Sequence, residues 1–432
     1  MTVIHERRRR AIMDLMGEGI AIIPTAPESQ RNSDVHYPFR PDSDFYYVTH
    51  FPEPQAVAVL IPGRAEGEFV LFCRESNPEQ ETWHGRRAGL EGACNHFDAD
   101  DAFPIEDIGD ILPGLIENRP KIYYNLGRYA DFDKRLLRWV GEVKSKVRSG
   151  ISAPEELVDL GHILHELRLI KQREEIRHMK RAAQISATAH RRAMTTCHPG
   201  MTEGQVQAEL EYEFGRGGAK SWAYPSIVAG GANACILHYT ENTDVLNDGD
   251  LLLIDAGAEI DCYAADITRT FPVNGRFTPE QQALYEVVLA SQLAAIDMVR
   301  PGQSWNDPHE AAVVVLTQGL IELGLLSGNV DQCIEDGAYR RFYMHRTGHW
   351  LGLDVHDVGE YKIDNAWRML ENGMVLTVEP GLYITAGKDI DQQWHNIGIR
   401  IEDDVLVTST GAEVLTGDVP KRPADIEALM AT

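Results

Sequence analysis

The sequence predicts an α/β fold (α+β in its mixture of elements) in two domains, the second built from two similar halves. Three observations carry this. At 432 residues the chain exceeds what one ordinary core organises. Strand and helix signals alternate from the N-terminus to about Val147. Asn247 to Gly257 (NDGDLLLIDAG) then aligns without gaps on Glu371 to Gly381 (ENGMVLTVEPG). Each copy holds a glycine turn, four mostly apolar residues, an acid and a closing glycine. Halves repeated in this way commonly pack about a pseudo-twofold axis with a site between them.

The elements follow in order. Glu6 to Met16 has a helical pattern and Gly19 to Pro24 that of a buried strand. Arg31 to Pro54 mixes aromatics, Asp and Pro, as a loop leading into a strand at Phe45 to Thr49 would. Ala56 to Pro62 and Glu68 to Cys73 pattern as further strands, and Thr82 to Arg87 as an exposed loop with Trp83 at its tip. Ser152-Ala153-Pro154-Glu155 is a helix-start signal, and a helix from there to about Lys171 connects the domains. The expected division is therefore 1-171 and 172-432. Glu174 to Thr196 is strongly helical and stops at His198-Pro199-Gly200. Pro279 to Val299 echoes it and stops at Arg300-Pro301-Gly302.

Composition narrows the function. A hydrophobic content of 43% with 37 glycines is ordinary for an α/β protein. Sixty-six acidic against 41 basic residues give a formal charge of −25, which argues against a nucleic-acid backbone or an anionic membrane as partner. Six cysteines without a CxxC pair favour free thiols in a reducing, cytoplasmic setting. No signal-peptide core or transmembrane run is expected, since Asp14, Glu18 and glycines interrupt the apolar residues after Arg7 to Arg10.

The chemistry lies in the repeats. Leu251 to Gly257 reads as a buried strand ending on Asp255, and Tyr263 to Phe271 as a second strand with Asp266 in its interior. An unpaired ionised carboxylate there is costly, so each needs a cation or hydrogen-bond donors. Pairing with Arg269, the nearest arginine, is the plainer alternative to metal binding. Three later stretches enlarge the set. His345-Arg346-Thr347-Gly348-His349 runs on to His356, Leu376 to Val378 is an apolar strand ending on Glu379, and Glu402 lies within the alternating run Asn396 to Asp404. Four carboxylates and one imidazole suit hard divalent cations such as Mn²⁺, with Zn²⁺ or Co²⁺ as alternatives. Four converging negative charges balance two such ions. The plainer readings are that His345 and His349 are core histidines on a helix face, and that Arg400 pairs with one of the acids at 402 to 404.

With these motifs in view, the chain resembles the Xaa-Pro aminopeptidases (aminopeptidase P) of the pita-bread metallopeptidase family. The resemblance runs through RNSDVHYPFRPDSDFYYVTHFPEPQAVAVL, ILHYTEN, LIDAG, DITRTFP, HRTGHWLGLDVHDVG, VLTVEPGLY and GIRIEDD. It implies a creatinase-like α/β N-terminal domain and a catalytic pita-bread domain. It further implies that Asp255 binds one of two metal ions, that Asp266 and Glu402 bridge both, and that His349 and Glu379 hold the second. Glu379 is the implied general base, with substrate-side roles for His238, His345 and His356. Tyr383 and Arg400 are implied at the proline pocket, Arg148 in substrate contact, and Trp83 at a neighbouring subunit's site in tetrameric members. The segment Glu360 to Met369 departs from the family pattern.

The expected activity is hydrolysis of the N-terminal residue from peptides with proline second, by a homo-oligomer (dimer or tetramer). Prolidase, which cleaves only Xaa-Pro dipeptides, is the alternative within enzymes. A non-catalytic pita-bread module that binds peptides or histones is the alternative outside them, and intact ligands argue against it. A Xaa-Pro bond is a tertiary amide without N–H, so the enzyme must grip a ring where others grip a donor.

Overall fold

The computed structural model describes residues 2–432 and separates into two compact units, one ending at Leu167 and the other beginning at Arg168. Arg168 and Lys171, at the start of the second unit, are buried against Asp357 at 2.6 and 2.9 Å.

The first unit is a six-stranded mixed sheet in the order Asp101–Pro104, Phe69–Cys73, Val57–Leu60, Ile20–Pro24, Lys121–Tyr123, Glu156–Val158. Its central pairings are antiparallel and its outer ones parallel. Ile20, Ile22, Val57, Val59, Val70 and Phe72 alternate onto one face. Leu136, Trp139, Val140 and Val143 meet that face at helical spacing from the helix Ala130–Ser145.

Three expectations for this unit are corrected. Phe45 to Thr49 is not a strand but part of the helix Ser43–Thr49, started by Asp42, whose side chain accepts from the Phe45 N–H at 3.0 Å. All seven helix residues are buried, so no amphipathic stripe marks it in the sequence. Thr82 to Arg87 begins inside a helix, Pro78–His84, capped by Asn77 and ended by Gly85 at φ 85°. The signal at Pro154 starts no helix: Glu156–Val158 joins the sheet edge beside Lys121–Tyr123, and the helix Gly161–Leu169 follows.

The second unit carries its repeat openly. Helices Arg173–Thr196 and Glu203–Gly217 pack as a pair ahead of the sheet Ile227–Gly230, Leu251–Asp255, Thr268–Pro272. Helices Pro279–Asp297 and Asp307–Glu322 pack as a second pair. They precede the pairings of Val375–Val378 with Asp403–Val407 and of Gly381–Ile384 with Ile397–Arg400.

The expected strand Tyr263 to Phe271 is interrupted. Tyr263–Ala264 and Thr268–Pro272 are separate strands, and Asp266 lies in the gap. Here the Ala256 N–H donates to Ile267 O at 3.0 Å and the Ala265 N–H to Ala258 O at 3.1 Å, so the backbone crosses between two sheets. Ile401 and Glu402 break the matching strand of the second half in the same way. The closing glycine of the first repeat is required by that crossing, because a Cβ on Gly257 would lie 1.7 Å from Ala265 O. Among the described residues no helix is long and apolar enough to cross a membrane.

Candidate metal centre

A cavity of about 440 Å³ in the second unit is walled by Asp255, Asp266, His349, Glu379 and Glu402 together with His238, His345, His356 and Arg400. Asp255 and Glu379 stand at the ends of the paired repeats, and Asp266 and Glu402 at the two strand breaks. The segment His345 to His349 is irregular, which removes the helix-face reading of its histidines. Asp266, His349 and Glu402 each present a ligand atom, all within 4.8 Å of one another.

Each group is held from behind. His349 Nδ1–H donates to Trp350 O at 2.9 Å, leaving Nε2 directed at Asp266 Oδ2 (3.4 Å) and Glu379 Oε1 (3.5 Å). A ligating imidazole is oriented in just this way, by a carbonyl on its other nitrogen. The Thr377 hydroxyl donates to Glu379 Oε1 at 3.2 Å, and the Thr268 hydroxyl to Glu402 Oε2 at 2.6 Å. The Tyr224 hydroxyl sits between Asp255 Oδ1, at 2.7 Å, and Asp266 Oδ1. Asp266 N–H donates to both oxygens of Asp404 at 3.2 Å.

Burial and the neighbouring charges set the titration of the cluster. Burial pushes the Glu379 carboxyl up to about 7, with His349 opposing and the charges of Asp266 and Asp255 adding to it. Burial raises Glu402 well above the carboxylate range, with Asp266, Glu379 and Asp255 reinforcing it. Burial also raises Asp255, against the pull of Arg400. For His349, burial pulls downward, but the hydrogen bond it donates to Asp266 and the charges of Glu379 and Asp266 raise it to about 9. Burial is the leading cause of the three carboxyl rises, whereas Asp266 goes the other way: burial opposes its ionisation, but the hydrogen bond and charge of His349 hold it below the ordinary value. The oxygen-rich set with one free imidazole nitrogen fits divalent ions.

Some sequence expectations resolve differently. Arg269 does not reach Asp255 or Asp266: it is fully buried against Asp403 at 2.7 Å. Arg400 pairs not with the acids at 402 to 404 but with Asp255, at 2.6 Å, while its Nε and Nη1 reach Thr268 and Tyr383 at 3.1 Å. Tyr383 is buried behind the cavity wall, its hydroxyl donating to His345 Nε2 at 2.8 Å. Burial first, then Arg400, lowers His345 to about 4, so its ring is neutral and accepts that bond. His356 packs edge-on to His349, ring centres 4.4 Å apart, and His238 is exposed on the wall. Trp83 (79% exposed) and Arg148 are surface residues of the first unit.

Tyr224, Thr268 and Thr377 were not singled out from the sequence. The threonines carried a readable signal, since each lies two residues from a proposed ligand in strand-like chain, where side chains share a face. Tyr224 carried none.

The chain belongs to metallopeptidase family M24, matched over residues 177–409, and residues 5–123 match the aminopeptidase P N-terminal domain. Family membership implies divalent metal ions and makes the chain a metal-dependent hydrolase. It is 45% identical to the Xaa-Pro aminopeptidase of Escherichia coli over 98% of this chain and 97% of that one. It is equally identical to that of Haemophilus influenzae, over 99% and 96%. Among solved structures it resembles the aminopeptidase PepP of Pseudomonas aeruginosa at 58% identity and a TM-score of 0.99, covering 100% of this chain and 98% of that one. Zinc-substituted E. coli aminopeptidase P in complex with product matches at 45% identity and a TM-score of 0.97, with the same coverage. The expected aminopeptidase P-type first domain and pita-bread second domain are therefore present.

Proposed function

We propose that this chain is a Xaa-Pro aminopeptidase, releasing the N-terminal residue of peptides whose second residue is proline. The observation that carries the reading is the convergence of Asp255, Asp266, His349, Glu379 and Glu402 on one cavity, in a chain similar throughout to proteins of that name. In this proposal Asp255, Asp266, His349, Glu379 and Glu402 would hold two divalent ions, Mn²⁺ before Zn²⁺ or Co²⁺. When bound there, the ions supply Lewis acidity and a water whose pKa is drawn towards neutrality.

The chain's own groups do the rest. Glu379, which lines the cavity, accepts a proton at its carboxylate and passes it towards the leaving nitrogen. His356 donates a ring N–H to the carbonyl oxygen as negative charge develops on it. His345, neutral and tied to Tyr383, offers a ring face to the proline side. His238 lines the opening. Arg400 acts through Asp255, which it holds in place. Trp83 and Arg148 are proposed substrate contacts, and the chain is proposed to work as a homo-oligomer in the cytoplasm.

The deciding experiment compares hydrolysis of Ala-Pro with that of Ala-Pro-Ala in added Mn²⁺, with a chelated control. Release of alanine from the tripeptide, abolished by chelator, is expected. Cleavage confined to the dipeptide would replace this reading with prolidase. Absence of both turnover and stoichiometric metal would leave a binding module.

A further inference from the structure

The segment from Glu360 to Met369 contains a hairpin in which Lys362–Ile363 pairs with Ala366–Trp367. Asp364 and Asn365 close it at φ 49° and 64°, a two-residue turn with both central residues left-handed. This register sets Lys362 opposite Trp367, and Lys362 Nζ lies 4.2 Å from the centre of the indole. The guanidinium of Arg346 lies 5.0 Å from the same centre and donates to Asn306 Oδ1. Arg346 is exposed and forms part of the wall of the cavity that holds the carboxylates. Neither Arg346 nor Lys362 is ion-paired with a carboxylate among the described residues. In a chain of net charge −25, two cations without an ion-paired carboxylate, both against one aromatic ring, offer a receptor for an anion.

We propose that Arg346, seated on Trp367 with Lys362 beside it, binds a carboxylate of the substrate downstream of its proline and so favours short peptides with a free C-terminus. The proposal rests on the aminopeptidase reading. Its direction follows from the chain: Arg346 adjoins His345, the ring assigned to the proline side, so the next substrate residue meets Arg346. The carboxylate can come from the peptide's C-terminus or from an acidic side chain.

The test measures kcat and KM for Ala-Pro-Ala, its C-terminal amide and Ala-Pro-Asp amide with wild type, R346Q and K362Q. Wild type is expected to show a KM for the free acid about three- to fivefold below that of the amide, the range of a solvent-exposed ion pair. R346Q should raise the acid's KM to the amide's, leave kcat within about twofold and leave the amide unchanged; K362Q should do so in part. Added salt should narrow the wild-type preference in the same way. A low KM for Ala-Pro-Asp amide that R346Q abolishes supports recognition of a side-chain carboxylate as well. Equal KM values for all three peptides in wild type overturn the proposal, as does an R346Q loss shared equally by acid and amide. If wild type turns over the amide without any preference, the aminopeptidase reading stands and this proposal alone falls. If no peptide is cleaved, both fall.

Discussion

Tyr224 is the side chain on which the carboxylate geometry leans most heavily without itself being a proposed ligand. Its hydroxyl is shared between Asp255 and Asp266, so Tyr224→Phe removes the group that ties the two carboxylates together, leaving Asp255 to Arg400 and Asp266 to His349. Loss of an orienting partner of this kind costs about 10- to 100-fold in metal affinity. A competition titration against a chelator checks it, and wild-type affinity in the variant would rule the role out. Asp266→Ala or Glu402→Ala removes a proposed bridge, and turnover of Xaa-Pro tripeptides should be abolished; activity in the metal-replete variant would refute bridging. At this scale the acids were legible, because an acid closing an apolar run is improbable without a partner. The partners were not. Which arginine meets Asp255 depends on strand pairing: Arg269 sits beside Ile254 in the ladder, yet it reaches away to Asp403. Arg400, 145 positions beyond Asp255, makes the contact.

Among elements, the interrupted strands do the placing. Asp266 and Glu402 both sit where a strand stops and its chain crosses to another sheet, so each carboxylate leaves the ladder and faces the cavity. Gly257 makes the first crossing sterically feasible. Gly257→Ala should displace the backbone that carries Asp266, since the contact is with a carbonyl that cannot swing aside. A loss of about 1–3 kcal/mol is expected, read from urea midpoints, together with weaker metal binding. An unchanged midpoint would mean that the two segments yield more readily than their hydrogen bonds suggest. Apolar runs and the repeat were visible beforehand. The breaks were not, because a ladder ends where its neighbour ends, and no local residue pattern records that. The helix Ser43–Thr49 escaped for a related reason: buried on all sides, it lacked a stripe.

For the molecule as a whole, charge governs two expectations. Asp357 is buried between Arg168 and Lys171; burial opposes its ionisation, but the charge of Lys171, then of Arg168, holds its carboxyl below the ordinary value. Protonation therefore favours the unfolded chain. The contribution is complete above the unfolded-state value of about 3.9 and is lost as pH falls through the lower folded-state value. Asp357→Asn should cost about 3 kcal/mol at neutral pH, by leaving the buried Lys171 without its carboxylate while Arg168 keeps Asp354, and the gap to wild type should close in acid. Melts from pH 7 to pH 3 check this, and parallel curves would count against it. Metal is the second lever. Ions that bind only the folded site raise stability by about 2.7 kcal/mol at a hundred times Kd, so Mn²⁺ should raise Tm and a chelator should reverse it. A Tm indifferent to both would argue that the carboxylates hold no ion.

By itself the sequence determined that buried acids recur at matched places in two halves, and that they outnumber the cations beside them. Those facts are local, written in the order of apolar and charged residues along single strands. Only the tertiary structure decided where the strands break, that Arg400 takes Asp255, that Tyr383 stands behind the wall, and that Trp367 gathers Arg346 and Lys362. Such choices join segments far apart in the chain, and they are settled by which backbones can approach closely enough to bond.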